Sequence, residues 1–430
     1  MMIQLHNHST AEVRRAATLA SGRYTLLAVG RAPIVSVDIR RLEQVADDRS
    51  AAMVYTDYQS MGRYCPLIEL QAGALRDDFD FGPVWLVRTD LLRRAAAAMS
   101  ADYKAAGLYD LRLRLMEMGP IVHLPEPGCV VGPEVAPEGC AEAQFNYVDP
   151  RQRSSQVEME LACTDYLGRI DALVMPGQPI SHDGEFAVEA SVVIPVRNRE
   201  RTIGDAISSA LGQECNFDFN VLVVDNGSTD GTSARIDQLA AANPRVKHLV
   251  PPPGHGIGGC WNYALDSELC GRFAVQLDSD DVYSSPRTLQ HVVDEFRRTG
   301  AAMVIGSYTL TDFDLKVIPP GLISHSEWTD ENGANNALRI NGLGAPRAFF
   351  TPIARELRFP DTCYGEDYAM GLRISRQWRI GRIYDSLYFC RRWGGNSDSN
   401  LSQEKINANN RYKDWLRTVE LEARIKLNAY

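Results

Sequence analysis

The sequence lacks paired cysteines and long apolar runs. Its nine cysteines are scattered from Cys65 to Cys390 without a CxxC pair or a metal-ligand spacing, which indicates free thiols in a reducing compartment. No uninterrupted apolar stretch is long enough to span a bilayer, and the first residues contain no apolar signal-peptide core. We therefore expect a cytoplasmic protein, while peripheral membrane contact stays open.

The sequence also contains fewer positively charged than negatively charged residues. The 430 residues include 45 Lys and Arg against 55 Asp and Glu, so the formal net charge is -10. This balance argues against nucleic acid as the main partner. With 45% hydrophobic and 23% charged residues, the chain has the composition of a globular protein, and its length predicts two or three domains.

Apolar strands and helical segments alternate from Glu189 onward. Runs such as "SVVIPV" and "VLVVD" are typical of strands buried on both faces, and segments with helical spacing follow them. This alternation predicts an α/β fold with a mostly parallel sheet flanked by helices. Ligands of such sheets bind beyond the carboxyl ends of the strands.

Polar residues follow the predicted strands at that edge. Asn198 comes after the first strand, Asp225 after the second, and Asp278 and Asp280 after the fourth. A divalent ion would relieve the repulsion between the last two, and Mg²⁺ or Mn²⁺ favours one or two carboxylates together with phosphate oxygens. We therefore expect a metal-bound diphosphate there. The alternative is a solvated loop that caps the next helix.

Asp225 lies in "VVDNGSTDGT", where its carboxylate can accept a hydrogen bond from a nucleobase, because its strand neighbours the first strand of the sheet. A turn or a helix cap is the alternative. The nearby "GHGIGG" matches a dinucleotide-binding pattern, but it follows three prolines and is not the first turn after a strand. We interpret its glycines as residues that let the backbone approach a ligand, or as part of a simple loop.

Two acids and two arginines complete the candidate set. Glu366 and Asp367 begin a predicted helix, either because acids favour a helix amino terminus or because one of them is a general base. Arg391 and Arg392 precede a loop of small polar residues, 394–400. Guanidinium groups there can neutralise a leaving phosphate, and the loop can act as a lid; an ordinary surface loop is the alternative.

Three matches in the same order predict an internal repeat. The aligned pairs are "GRYTLLAVGR" (22–31) with "GRFAVQLDSD" (271–280), "AAMVYTDY" (51–58) with "AAMVIGSY" (301–308), and "YDLRLRL" (109–115) with "YAMGLRI" (368–374). The first copy begins at the strand whose counterpart carries the acids, so we expect it to lack the nucleotide-binding half.

The first copy also lacks the acids themselves. Val29 and Arg31 stand where the second copy has Asp278 and Asp280, and Leu108 stands in the place of the second helix acid. None of these three side chains can bind a cation or accept a proton at neutral pH. We expect the first copy to be inactive and to serve in acceptor binding, dimerisation or scaffolding.

Taken together, these stretches resemble family 2 glycosyltransferases with the GT-A fold, over roughly residues 189–402, about half of the chain. The motifs that carry the resemblance are "SVVIPVRNRERTIGDAISSAL", "VLVVDNGSTDGT", "GIGGCWNYAL", "LDSDD", "YGEDY" and "RRWGGNSDSNLS". The resemblance implies an inverting enzyme that moves a sugar from a nucleotide-sugar donor to a hydroxyl of a glycan or glycoconjugate acceptor, with Mn²⁺ or Mg²⁺ as cofactor.

The resemblance also implies roles for individual residues. Its base-contacting acid falls on Asp225, its pocket-lining residues on Pro195 and Asn198, its metal ligands on Asp280 and Asp278, and its catalytic base on Asp367 beside Glu366. Two family features are absent. No histidine follows the arginines, so no third protein ligand is assigned, and the QxxRW pattern of processive synthases is missing, so we expect transfer of a single sugar.

Four segments follow from this interpretation. We predict a degenerate GT-A-like half domain over 1–148, a linker helix and loop over 149–188, the catalytic domain over 189–402 and an amphipathic helix over 403–430. A homodimer through the first domain or the helices stays open. Two other functions are weighed: a nucleotidyltransferase acting on sugar phosphates, which would want a glycine-rich loop after the first strand, and a non-catalytic glycan-binding module, which would not need the acids.

Overall fold

The computed structural model describes residues 2–30, 32–133, 152–396 and 401–429, and it contains two sheet-based units. The strands of the first unit are β1 (Met2–Gln4), β2 (Tyr24–Ala28), β3 (Ile34–Val37), β4 (Met53–Ser60), β5 (Arg63–Cys65), β6 (Val84–Arg88) and β7 (Ile121–Val131). Its helices are α1 (Thr10–Leu19), α2 (Ile39–Asp48), α3 (Thr89–Ala98) and α4 (Gly107–Met118).

The second unit is larger, and two further helices connect the units. Helix α5 (Arg153–Arg169) lies between them in the chain, and helix α13 (Gln403–Asn428) ends the chain. The strands of the second unit are β8 (Ala190–Val196), β9 (Phe219–Asp225), β10 (Val246–Leu249), β11 (Phe273–Gln276), β12 (Val282–Tyr283), β13 (Met303–Thr311), β14 (Val317–Ile323), β15 (Arg347–Phe350) and β16 (Ile380–Arg391). Its helices are α6 (Ile203–Leu211), α7 (Thr232–Ala242), α8 (Ile257–Asp266), α9 (Thr288–Thr299), α10 (Gly333–Asn336), α11 (Thr351–Leu357) and α12 (Glu366–Ser375).

The sheet of the second unit has the order β10-β9-β8-β11-β15-β13-β16-β12, with β14 paired to β13. Strands β10, β9, β8 and β11 are parallel neighbours, and β13 and β16 are parallel as well. Strand β15 runs antiparallel between β11 and β13. Every residue of β9 and β11 is buried, as their apolar sequences predict, because helices cover both faces of the sheet. The predicted α/β class with a mostly parallel sheet is confirmed.

The sheet of the first unit repeats this topology. Its order is β1-β2-β6-β4-β7-β3, with β5 paired to β4. Each pair has the direction of its counterpart: β1 and β2 are parallel, β6 is antiparallel to both β2 and β4, β4 and β7 are parallel, and β3 is antiparallel to β7. Strands β1 to β7 thus correspond in chain order to β8 and β11–β16. The predicted relation between the two units is confirmed.

Hydrogen bonds outside the strands also repeat. Arg88 N–H donates to Ala52 O as Phe350 N–H donates to Ala302 O. The hydroxyl of Tyr109 donates to the carbonyl of Leu75. The hydroxyl of its counterpart Tyr368 donates to the carbonyl of Ala337. The two loops that accept these bonds, 66–82 and 324–346, therefore hold the same place in the two units.

The repeat is larger than the sequence predicted. We expected the first copy to begin at the strand Tyr24–Ala28, but β1 precedes it and pairs with it in the way that β8 pairs with β11. Among the strands of the described residues, only β9 and β10 have no counterpart in the first unit. Strand β1 escapes sequence analysis because three residues with alternating burial carry too little periodicity to stand out.

One apolar core joins the two units. It includes residues from α4 and α5 together with residues from α8, α12 and α13, for example Leu113, Cys163, Leu265, Leu372 and Leu421. Helix α13 lies in the seam between the loops 66–82 and 324–346. This burial explains the amphipathic patterns of α5 and α13. Among the described residues, no helix is both long and apolar enough to cross a membrane.

Buried ion pairs hold α13 in that seam. Arg76 of the first unit pairs with Asp414 at 3.2 Å, and their side chains are 3% and 0% exposed. Arg417 pairs with the same aspartate and donates to the carbonyl of Ile340 in the second unit. Because charges so deeply buried are stable only when they are paired, this cluster fixes the position of α13 against both units.

Candidate active site

A cavity of about 300 Å³ opens at the carboxyl ends of β8, β9 and β11. Its position is the one expected for the ligand site of a parallel sheet. Its lining residues are Pro195, Val196, Arg197, Arg199, Asn226, Ile257, Cys260, Asp278, Ser279, Asp280 and Asn396. The predicted residues Pro195, Asp278 and Asp280 are thus brought together at one cavity.

Asp278 lies deep in this cavity. Its Oδ1 accepts from Gln276 Nε2 at 2.9 Å, and its backbone N–H donates to the hydroxyl of Tyr388 at 2.9 Å. Burial raises the pKa of Asp278, although the charge of Arg347 opposes the rise. A buried carboxyl in this state favours any cation that can approach it.

Asp280 faces the cavity with one carboxylate oxygen held by neighbours. Its Oδ2 accepts from Trp393 Nε1 and from Asn396 Nδ2, both at 3.3 Å, and Arg199 Nε lies 3.8 Å from the same oxygen. The two hydrogen bonds are at the long end of the normal range. Among the described residues, the other oxygen, Oδ1, takes part in no hydrogen bond or ion pair.

Asp281 is distinct from its two acidic neighbours. Its side chain is buried, and its Oδ1 accepts from the backbone N–H of Arg391 at 2.7 Å. Burial and the charges of Asp278 and Asp280 raise the pKa of Asp281 well above its ordinary value. The structure therefore places Asp281 as a link between the acidic turn and β16.

Arg347 is a site residue that the sequence did not single out. It begins β15, and because β15 runs antiparallel beside β11, its backbone N–H donates to Gln276 Oε1 at 3.1 Å. Its Nη1 lies 2.5 Å from Asp367 Oδ2. Burial lowers the pKa of Arg347, but the charges of Asp367 and Asp278 outweigh burial and raise it. One guanidinium thus connects the acidic turn with the head of α12.

The two acids at the start of α12 differ in ionisation. Burial, and then the charge of Asp367, raise the pKa of Glu366 to about 8. Burial would also raise the pKa of Asp367, but the charges of Arg347 and Lys413 outweigh it and lower that pKa. Near neutral pH, Asp367 is therefore the ionised member of the pair, able to accept a proton.

Asp225 ends β9 beside the cavity. Its Oδ1 accepts from Ser228 N–H at 3.0 Å, and its Oδ2 accepts from the hydroxyl of Ser233. Burial would raise the pKa of Asp225, but these hydrogen bonds outweigh it and lower the pKa. His248 Nε2 lies 3.6 Å from Oδ2. The carboxylate is thus held ionised at the base of the turn.

Asn198 supports the cavity without lining it. Its Oδ1 accepts from Thr229 N–H at 2.7 Å, and its own N–H donates to the hydroxyl of Ser228 at 3.0 Å. Its φ of 54° lies in the left-handed region, which asparagine tolerates better than most residues. Asn198 therefore connects the loops that follow β8 and β9.

Arg391 reaches towards the cavity, but its guanidinium is engaged. Its Nε donates to the carbonyl of Asp280 at 2.5 Å, and its Nη1 lies 2.9 Å from Asp205 Oδ2. Arg392 pairs through its backbone with Thr311. Residues 397–400 of the expected lid lie outside the described residues.

An aromatic cluster holds the end of β16 near the cavity. Arg201 lies over the rings of Phe313 and Trp393, at 4.1 and 5.3 Å from their centroids. Such cation–π contacts stabilise by about 0.5–1 kcal/mol where solvent reaches them. They help to place the indole N–H of Trp393 against Asp280. Arg199 and Arg201 were not singled out, because basic residues in "RNRERT" have no spacing that distinguishes them from a solvated surface.

The oxygen donors suit a hard divalent cation, although they are few. No group of three or more His, Cys, Asp or Glu side chains that could hold a metal is found within residues 2–30, 32–133, 152–396 and 401–429. Mg²⁺ and Mn²⁺ sites are often built from one or two carboxylates, completed by phosphate oxygens and water. Asp278 and Asp280 at one cavity fit that pattern.

Strand pairing identifies the counterpart of Arg347 in the first unit. Tyr55 pairs with Trp85 as Ile305 pairs with Arg347, so Trp85 stands in the place of the arginine. A tryptophan there can form no ion pair. It instead packs in the apolar core of the first unit.

Two further counterparts, Leu108 and Val29, are apolar as well. Leu108 is the second residue of α4, as Asp367 is of α12, and Val29 follows β2 where Asp278 follows β11. Both leucine and valine pack in the same apolar cluster as Trp85. Arg31 lies outside the described residues. The acidic cleft of the second unit is thus an apolar core in the first.

Comparisons with known proteins find similar glycosyltransferases. Residues 191–357 match the family model described as glycosyl transferase family 2. The chain is 27% identical over 227 residues to UDP-Glc:alpha-D-GlcNAc-diphosphoundecaprenol beta-1,3-glucosyltransferase WfgD of Escherichia coli, a match to 51% of this chain and 79% of that protein. It is 37% identical over 109 residues to chondroitin synthase of Escherichia coli, over 25% of this chain and 15% of that protein.

TarS residues 1–349 of S. aureus, in complex with UDP-GlcNAc, superpose with a TM-score of 0.41 and 21% identity, over 50% of this chain and 61% of that chain. The family match falls within the predicted catalytic segment. Residues 191–357 are therefore a segment that matches glycosyl transferase family 2.

Proposed function

We propose that the chain is a metal-dependent, inverting glycosyltransferase that moves one sugar from a nucleotide-sugar donor to an acceptor hydroxyl. The observation that carries the proposal is the Arg347 bridge. One guanidinium pairs with Asp367 at 2.5 Å and acts on the charge of Asp278. This bridge brings a proton acceptor to the edge of a cavity suited to a diphosphate.

The donor would lie along the carboxyl ends of β8, β9 and β11. Asp225 would accept a hydrogen bond from the base, and Pro195 and the supporting Asn198 would shape the pocket wall. Because the names of WfgD and of the TarS complex specify UDP-linked sugars, we propose a UDP-sugar as the donor. Arg391 would act on the diphosphate through the loop that it supports, since its guanidinium is bound to Asp280 and Asp205. Arg392 would lie beside it.

Asp280 and Asp278 would hold a divalent cation, Mn²⁺ or Mg²⁺, with Asp280 as the more direct ligand. When bound, such a cation supplies stabilisation of the negative charge that develops on a leaving diphosphate. Among the described residues, Asp280 Oδ1 has no hydrogen-bond or ion-pair partner, while two long hydrogen bonds and Arg199 at 3.8 Å hold Oδ2. A cation would replace those bonds at little cost.

Asp367 would take the proton from the acceptor hydroxyl as that oxygen attacks the anomeric carbon opposite the leaving group. Arg347 keeps this carboxylate ionised and orients one of its oxygens. Glu366, with its pKa raised to about 8, would carry a proton at neutral pH and donate a hydrogen bond to the acceptor. The proposed roles thus differ within the pair.

The domain boundaries belong to the proposal. We assign 1–148 to the degenerate unit, 149–188 to the linker, 189–402 to the catalytic domain and 403–430 to the terminal helix. The first unit would act as a scaffold, since its cleft is filled by apolar side chains. We propose a cytoplasmic location, in keeping with free cysteines at positions such as 129, 163 and 260.

A product assay tests the proposed function. Purified protein is incubated with UDP-, GDP- and dTDP-sugars, with Mn²⁺ or with EDTA, and the released nucleotide is identified by chromatography. Without an acceptor, a glycosyltransferase slowly transfers the sugar to water and releases the nucleoside diphosphate. We expect this release in the presence of Mn²⁺ only. Binding to glycans without turnover of any donor would instead identify a glycan-binding module, and formation of a nucleoside triphosphate from donor and pyrophosphate would identify a nucleotidyltransferase.

A further inference from the structure

A lysine of the terminal helix reaches the acceptor end of the site. Lys413 Nζ lies 4.6 Å from the ring centroid of Tyr364 and 5.4 Å from that of Tyr368, and it donates to the carbonyl of Asn341 at 2.6 Å. The two tyrosines flank the segment that holds Glu366 and Asp367. Lys413 lies outside the segment that matches the family model.

The head of α12 and the middle of α13 are in direct contact. Gly365 has a φ of 76°, which favours glycine, and a Cβ built at this position would approach Tyr412 and Leu416 at 3.4 and 3.5 Å. The turn of α13 that contains Tyr412 and Leu416 therefore packs against Gly365, the residue just before α12. Lys413 follows Tyr412 in that same turn.

Lys413 is close enough to Asp367 for its charge to lower the pKa of that carboxyl, but the two groups form no direct pair. Within the described part of the chain, Lys413 forms no salt bridge, and its partners are a carbonyl and two aromatic rings. Asp367 is directly paired with Arg347 at 2.5 Å. Among the described residues, Lys413 is thus a cation without a directly paired carboxylate, beside the place where the acceptor hydroxyl would lie.

We propose that Lys413 binds an anionic group of the acceptor, a phosphate or a carboxylate carried by the sugar that receives the transferred residue. Helix α13 then forms one wall of the acceptor subsite. This proposal rests on the proposed function, because it takes Asp367 as the residue that marks the acceptor end. A lysine ammonium has three donors and binds phosphate or carboxylate as a compact charge, and one donor is used by Asn341.

The first unit holds Lys413 in position. The next residue, Asp414, pairs with Arg76 at 3.2 Å, and the hydroxyl of Thr418 accepts from Gly73 N–H at 2.9 Å. Gln71 Nε2 donates to the carbonyl of Arg411 at 2.8 Å. The loop 66–82 thus fixes the rotation of α13 about its axis. The first unit would therefore orient the ammonium group of Lys413 towards the acceptor.

Calorimetric titration tests the proposal. UDP is first titrated into the protein in the presence of Mn²⁺, and its concentration is then kept saturating so that the donor site is filled. Glucose 1-phosphate, glucuronate and methyl glucoside are then titrated into wild type, Lys413→Met and Lys413→Arg. Methionine retains the apolar stem of lysine without the charge. Binding of glucose 1-phosphate alone identifies a phosphate subsite, and binding of glucuronate alone identifies a carboxylate subsite.

In wild type, we expect at least one anionic probe to bind about tenfold or more tightly than methyl glucoside, because a charge-assisted hydrogen bond is stronger than one between neutral groups. Lys413→Met should lose that preference, and Lys413→Arg should keep most of it, while UDP affinity stays unchanged in both. Equal binding of all three probes, binding of none, or an unaffected Lys413→Met would overturn the proposal. A failure of UDP to bind would instead contradict the proposed function.

Discussion

Arg347 and Asp367 form an ion pair of 2.5 Å that joins the start of β15 to the start of α12. Their side chains are 18% and 25% exposed, so water screens the pair only in part. The pair lowers the pKa of a carboxylate that burial alone would raise. Asp367 therefore remains ionised at a lower pH than an isolated buried acid would.

The first prediction concerns this pair. Arg347→Met should raise the pKa of Asp367, since the positive charge of an adjacent arginine favours the ionised form of an aspartate. A lowered pKa keeps the basic form at acidic pH, so its loss should move the acid limb of the profile of kcat against pH upward. Arg347→Lys should keep much of the depression. An acid limb at the same pH in wild type and Arg347→Met would contradict this account.

The second prediction concerns the proposed base. Asp367→Asn keeps the shape of the side chain but cannot accept the proton, so transfer should fall by ~10²–10⁴-fold while UDP affinity is maintained. Product formation and calorimetry measure the two quantities separately. Asp385→Asn, at an exposed position on β16, is the matched control and should retain activity. If donor affinity and transfer fell together in Asp367→Asn, the residue would have a structural role.

The third prediction separates the neighbouring acids. Asp280→Ala should reduce activity by orders of magnitude and abolish the dependence of UDP affinity on Mn²⁺, because it removes an oxygen ligand. Asp281→Asn should leave both largely unchanged, since burial favours the neutral form of Asp281 and an amide oxygen can accept from the Arg391 N–H. Full activity of wild type in EDTA would refute the metal role.

The fourth prediction concerns the seam between the units. Asp414→Ala leaves Arg76 and Arg417 without their shared carboxylate, and loss of one partner of a buried ion pair costs about 3–5 kcal/mol in the free energy of unfolding. Chemical denaturation followed by circular dichroism measures this loss. Arg14→Ala is the control, because its pair with Asp102 is 43% and 83% exposed and should contribute less than about 1 kcal/mol. Equal losses in both variants would count against a buried cluster.

The fifth prediction concerns the first unit as a whole. A protein that starts at residue 189 retains every proposed catalytic residue but exposes the part of the common core now covered by α4 and α5. It should be less soluble and should bind more of a dye specific for apolar surface. Light scattering and dye fluorescence, measured against the full chain at equal concentration, provide the test. A soluble, monomeric fragment with unchanged dye binding would show that the units are independent.

Sequence reasoning succeeded where residues have local patterns. The β-branched runs predicted β8 and β9, and the acids at strand ends predicted the edge where the cavity lies. The internal matches predicted a repeated unit because apolar strands retain their pattern even when the site residues change. Short strand β1 remained undetected for the opposite reason, since it has three residues and one buried side chain.

Arg347 could not be predicted from local pattern. In "GAPRAFF" it is a lone arginine before an apolar strand, a common arrangement with no spacing to any acid. Its role arises because β15 inserts antiparallel between β11 and β13, which brings residues distant in the chain side by side. Lys413 could not be predicted for a similar reason. Its place near α12 depends on contacts that hold α13 between the two units, and these contacts join residues distant in the chain.

The position of α13 has a consequence for biosynthesis. A chain leaves the ribosome from its amino terminus, and early domains fold first. The buried partner of Arg76, Asp414, is synthesised 338 residues later. Until α13 emerges, Arg76 has only the carboxylate of Asp78 in its own loop as a partner, and the apolar surface that α13 covers stays exposed. A stop codon anywhere before residue 403 therefore removes an element that both units need, and a truncated chain would leave their common surface open to solvent.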